Sequence, residues 1–193
     1  EDRLASAQAL LKRLSGIVEN SGQRRMLDNG LNALREAMLR LEENPSDTQG
    51  ALRARLLAGH CGRALRLALM GMEARTVSGG ALDALMRDAC LEARECGIDA
   101  AISCSVDEAV DAGVAAALSF CLCALLEACL GRPDPTGASF RVLRQEGHLR
   151  LVALLPAAID PCAALAVADG LAAVCREADD QTLILKYDFA EVL

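Results

Sequence analysis

The sequence predicts an α+β protein, an N-terminal helical hairpin followed by an α/β sandwich. Three observations lead there. Apolar residues recur at helical seam spacing through the first 74 positions. After residues 76–80 the pattern changes to helices mixed with short alternating runs. Two of those runs flank Gln145-Glu146-Gly147, a turn signal with Gly in place for a β-hairpin.

Residues 1–41 read as helix, interrupted near Asn20-Ser21-Gly22. Leu4, Leu11, Leu14 and Val18 precede the break, and Leu27, Leu31, Leu34, Met38 and Leu41 follow it. The later set steps by four, three, four and three, the spacing of a helix that packs on other helices. Asn44-Pro45-Ser46-Asp47 is a turn by composition. A second helix over 48–74 carries Leu52, Leu56, His60, Ala64, Leu67 and Met70 along one face. One hairpin has too little surface to bury both seams. Two chains together make a four-helix bundle that hides them, so a homodimer is expected. The alternative is that the hairpin packs on the sandwich of its own chain.

Thr76-Val77-Ser78-Gly79-Gly80 reads as a linker and sets the division, with residues 1–76 as dimerisation domain and 80–193 as sandwich. The second part reads helix 81–96, strand 98–104, helix 114–130, loop 131–137, strands 139–144 and 148–155, helix 162–176 and strand 182–187. Leu149, Leu151 and Ala153 alternate with Arg150 and Val152, so one sheet face is core and one mixed sheet is covered on one side by helices.

Composition narrows the function. The chain is 53% apolar, yet it has three Phe, one Tyr and no Trp, so Leu, Ala, Val, Met and Cys must build the core. A net charge of −7 gives no electrostatic reason to bind nucleic acid or an anionic membrane. The arginines look scattered. Nine cysteines without a Cys-x-x-Cys pair, most of them in apolar helical runs, read as reduced thiols used as small hydrophobes. No 18-residue apolar run spans a membrane. The chain is therefore read as cytoplasmic, by itself or as the soluble part of a membrane-anchored protein.

A family resemblance rests on particular residues. Leu82, Leu85, Met86, Ala89 and Ala93 run up to Gly97-Ile98-Asp99, and a helix carries Leu122-Cys123-Ala124-Leu125-Leu126-Glu127-Ala128-Cys129-Leu130. The hairpin over 141–155 follows. In this order the elements resemble the bacterial histidine kinases of the GHKL ATPase superfamily, over roughly residues 20–190. The resemblance implies a dimerisation hairpin and a histidine-kinase ATPase-like sandwich, with ATP and Mg²⁺ as the family's cofactors.

Position by position, the family's chemistry is missing. Its asparagine box pairs a carboxylate with a magnesium-holding Asn. Here Glu127 stands, but the Asn is replaced by Ala128 or Gly131. The family's adenine-reading Asp and its Gly-x-Gly follow the next strand. Here that strand ends Leu154-Leu155-Pro156-Ala157-Ala158, and Asp160 has no Gly-x-Gly after it. Only residues 157–161 separate strand from helix, which leaves no room for a lid. Where the acceptor His belongs, the sequence reads Arg24-Arg25-Met26-Leu27-Asp28, and Leu27 cannot take a phosphoryl group.

Of two histidines, His60 lies on the hairpin seam and His148 opens a strand beside a turn. His60 reads as a bundle histidine, or else as a displaced phospho-acceptor. Glu127 reads as a satisfied helix carboxylate near Arg132, or else as a remnant of the site. Asp107-Glu108 and Asp179-Asp180 read as solvated turns. No cofactor or metal is expected. The function read from these residues is a catalytically inactive, dimeric docking or regulatory module in two-component signalling. Its partner would be a response regulator or another signalling protein, held around Leu27, Asp28, Leu31, His60 and Arg63. The alternatives are a phosphotransferase relaying phosphate through His60 without ATP, and an ATPase-like domain holding another small ligand among Cys123, Leu126, Leu130 and Leu155.

Overall fold

The computed structural model describes residues 21–130 and 137–190, and the side chains of 21–27 and 71–74 lie outside that description. The seam residues Leu4, Leu11, Leu14 and Val18, and most of the 131–137 loop, therefore fall outside it.

Helix α1 (Ser21–Glu43) and helix α2 (Thr48–Ala74) are joined by the turn expected at residues 44–47. The Asp47 amide donates to the Asn44 carbonyl at 3.0 Å. Its carboxylate accepts from the Gly50 amide at 2.9 Å, as an N-cap does, and so starts α2. Between the helices, Leu34, Ala37, Leu57 and Cys61 are buried, with Leu31 and Met38 packed against them. An adjacent face of α2 turns toward the sandwich. Its Leu56 and Leu67 belong to the main core, so in the single chain the helix pair lies on its own sandwich.

The stretch read as a linker is ordered and paired. Thr76–Val77 forms β1, antiparallel to β3 (Val110–Asp111), with Val77 buried. Ser78 then N-caps helix α3 (Gly79–Glu95), its hydroxyl accepting from the Ala81 amide at 3.2 Å. Gly79 is needed there, because a Cβ would stand 1.8 Å from the Val106 carbonyl oxygen. At its other end α3 stops in a Schellman motif. The Gly97 amide donates to Arg94 and the Ile98 amide to Ala93, with Gly97 at φ +82°. Ile98 is thus spent on closing the helix, and strand β2 (Ala100–Ser105) begins two residues later than its apolar run suggests.

With β4 (Ala138–Gln145), β5 (His148–Pro156), β6 (Ala173–Ala178) and β7 (Thr182–Ala190), the five-stranded sheet has the order β2-β4-β5-β7-β6. Strand β2 is parallel to β4, and every other pairing is antiparallel. Strands β4 and β5 meet at a two-residue turn, Glu146-Gly147, with φ of 52° and 77°. Inward residues Phe140, Val142, Leu149, Leu151, Ala153, Leu155, Leu183, Leu185, Tyr187 and Phe189 are all buried. They pack under α3 and helix α4 (Ala112–Ala128), while Ser139, Arg141 and Leu154 are exposed on the other face.

One helix was read too long. Helix α5 is Cys162–Ala168 and ends at Asp169-Gly170, where Gly170 has φ +73°. The helix expected over 162–176 is replaced from Ala173 onward by edge strand β6 (Ala173–Ala178), paired with β7 (Thr182–Ala190). Pairing with β7 overrides the helical preference of Ala, Arg and Glu.

Candidate functional site

Helix α4 positions the centre of the molecule. Asp111 caps it, accepting from the Gly113 and Val114 amides at 2.8 and 3.1 Å. The helix is apolar almost all round because one side meets the sheet and another meets α2. Toward its C-terminal end, Phe120, Cys123, Ala124 and Glu127 face a cleft of about 620 Å³. Helix α1 closes it with Asn29, Gly30 and Ala33, α2 with Leu57 and His60, and the end of α5 with Ala166, Val167, Asp169, Gly170 and Leu171.

His60 is only 2% exposed. Its ring lies 5.2 Å from the Phe120 ring at 41°, and neither ring nitrogen has a hydrogen-bond partner in the chain. Burial, and secondarily the charge of Arg63, lowers its pKa to about 3, so the imidazole is neutral near pH 7.

Arg63 is 1% exposed and donates to Glu92 of α3. This pair is the buried rung of a ladder along α2. Arg55 pairs with Glu95, Arg63 with Glu92 and Arg66 with Asp88, the reversed order showing that α2 and α3 run antiparallel. Arg53 pairs with Glu127 of α4. The arginines of α2 are therefore a matched stripe rather than a scattered set. Gly59 completes it, since a Cβ there would lie 1.9 Å from a Glu92 carboxylate oxygen. The complementary stripe was readable as Asp88, Glu92 and Glu95 at spacings of four and three.

The other residues singled out in the sequence separate. Glu127 pairs with Arg53, while Arg132, its expected neighbour, lies outside the described residues. Asp28 and Leu31 are half-buried on α1, and the Leu27 side chain is outside the description. His60 and Arg63 are not surface residues of the single chain, because Phe120 and Glu92 cover them. His148 is exposed as expected. Glu108 pairs with Arg144 at 2.6 Å. Asp179 accepts from the Gln181 and Thr182 amides at 2.8 and 2.6 Å, which holds its carboxyl below the usual range and makes it a turn residue.

The lining imagined from sequence divides. Leu126 and Leu155 are buried in the core, Cys123 faces the His60 cleft, and Leu130 faces a smaller one of about 340 Å³ beside Arg53. Burial pushes the thiols of Cys121 and Cys123 up to about 12, and those of Cys61 and Cys90 up to about 11, so they remain protonated packing groups. Cys162 and Cys175 depart from that reading, being exposed. Among the described residues no cluster of three metal-ligating side chains occurs, and no helix is long and apolar enough to cross a membrane.

No protein-family model matches the sequence, and no curated protein sequence matches it. Solved structures do. The histidine kinase domain of the blue-light-activated histidine kinase EL346 of Erythrobacter litoralis superposes with a TM-score of 0.64, at 14% identity, over 99% of this chain and 95% of that one. The fold is that of a histidine kinase domain. A structure of the EL346 kinase itself matches at a TM-score of 0.52 and 12% identity, over 84% of this chain and 60% of that one. Within this histidine kinase fold, the segment 157–161 after β5 is a tight turn. The Ala157 amide donates to the Gln181 carbonyl, the Ile159 amide to Pro156, and Ile159 is buried.

Proposed function

We propose that this chain is a signalling protein that uses the histidine kinase fold as a dimeric docking module and does not draw phosphate from ATP. The segment 157–161 carries the reading. The family resemblance implies an Asp, a Gly-x-Gly and a lid in that region. Here five residues turn directly into α5, pinned to Gln181 and anchored by Ile159. Such a turn supplies no Gly-x-Gly and no loop to cover phosphates, and its one carboxylate, Asp160, accepts from the Cys162 amide at the start of α5. Glu127, the carboxylate at the asparagine-box position, is engaged by Arg53.

Docking needs an accessible surface and a defined assembly. Leu39 and Leu69 are 48% and 53% exposed on the two helices, and they give a second copy apolar surface to bury. Asp28 and Leu31 are the accessible members of the proposed regulator-binding region, with His60 and Arg63 beneath as its support. Light scattering is expected to report a dimer. Titration with receiver domains of response regulators is expected to find a partner whose affinity falls at least tenfold with Asp28→Lys or Leu31→Glu. A monomer, or a partner indifferent to both variants, would sink the reading. Relay through His60 would require the imidazole to leave a nearly closed site, so acid-labile phosphate on His60 is not expected after incubation with a phosphorylated regulator.

A further inference from the structure

A buried histidine with two unpaired nitrogens costs stability, because each polar atom has left water without gaining a partner. His60 pays that penalty on the wall of the largest cleft described above. Gly30 of α1 faces the ring, beside Cys61. A Cβ at Gly30 would sit 3.4 Å from His60 Cδ2 and 3.6 Å from its Nε2, in ordinary contact with the imidazole edge. Three further features define what the cleft suits. Its volume, about 620 Å³, is that of a small-molecule site. Phe120, Leu57, Val167 and Leu171 give it apolar walls. Its charged lining residues are Glu127 and Asp169, and no lysine or arginine lines it among the described residues.

We infer that the cleft between α1, α4 and α5 is a binding site for a compact, uncharged or weakly basic heteroaromatic molecule. The ligand lies against Phe120 and hydrogen-bonds to one ring nitrogen of His60. The N–H donor and the ring-nitrogen acceptor of a neutral imidazole point away from each other, so a compact ligand meets one of them, and a planar ring carrying both a donor and an acceptor suits either tautomer. Anions are disfavoured, since the charged lining residues are Asp169 and Glu127, the latter already paired with Arg53, and no lysine or arginine lines the cleft among the described residues. The nitrogens are shielded from bulk water in the free chain, so the ligand reaches them as the His60 and Phe120 rings shift to admit it. This site is independent of the docking reading, which needs no small ligand.

Benzimidazole is the probe, with ¹⁵N-detected titration of the His60 ring as readout and sodium benzoate and inorganic phosphate as anionic controls. Saturable binding of benzimidazole is expected, with the His60 nitrogen resonances moving. His60→Leu and Gly30→Ala are each expected to weaken it at least tenfold while retaining the wild-type circular dichroism spectrum. Gly30→Ala matters because it keeps the histidine, adds a methyl at contact distance and favours helix, so it is the variant most certain to fold. The controls are expected to give no saturable shift. Absence of saturable benzimidazole binding overturns the inference. So does equal affinity in Gly30→Ala and wild type, or binding of benzoate or phosphate as tight as that of benzimidazole.

Discussion

His60 is the residue whose energetics are most exposed to test. Its folded-state pKa is lowered to about 3 from 6.5. The unfolded chain therefore binds the extra proton first as pH falls. Stability contributed by the neutral ring is fully present above pH 6.5 and is lost between pH 6.5 and 3, by an upper bound on the order of 5 kcal/mol. Carboxylates titrate over part of the same range, so the difference between wild type and His60→Leu isolates the effect in urea unfolding at stepped pH. At pH 7, His60→Leu is expected to stabilise the chain by about 1–3 kcal/mol, the orphan polar atoms being gone. Arg63 behaves in the opposite way. Removing its partner by Glu92→Ala strands a guanidinium that is 1% exposed, and the expected loss is about 3 kcal/mol. Arg66→Ala breaks the exposed pair with Asp88, and its loss is expected to stay below about 0.5 kcal/mol. Neither pair is visible from local sequence, since Arg63 and Glu92 are 29 residues apart and Arg53 and Glu127 are 74 apart. Side-chain identity suggested His60 and Glu127, but their surroundings came only with the fold.

At the scale of elements, what was legible followed local chemistry. The α1–α2 turn follows from Asn44, Pro45 and Asp47, the end of α3 from Gly97, and the β4–β5 hairpin from alternation around Glu146-Gly147. What was not legible depends on distant pairing. Strands β1 and β3 are two residues each and exist through one another. Strand β6 has Ala, Arg and Glu in place of β-branched residues and is held by β7. The Asp169-Gly170 step was its available signal, a helix stop passed over because Ala and Leu continue on both sides. The hairpin offers a clean test. Glu146 holds a positive φ of 52° that asparagine tolerates better, so Glu146→Asn is expected to raise the melting temperature, by about 0.5 kcal/mol of stability, while Gly147→Ala lowers it by about 1 kcal/mol.

For the whole molecule, the decisive feature is that the helix pair and the sandwich share a core. Leu56 and Leu67 of α2 sit among the residues of α3 and α4, and the arginine stripe ties the same surfaces together. Unfolding is therefore expected to be a single transition when followed by helix and by sheet signals. The central claim concerns the segment 157–161 and the site it leaves unbuilt. Isothermal calorimetry of ATP and ADP with Mg²⁺, on protein whose mass is fixed by light scattering, tests it most directly. The account predicts no binding heat at millimolar nucleotide. Micromolar binding would contradict it and would return phosphoryl transfer to this fold.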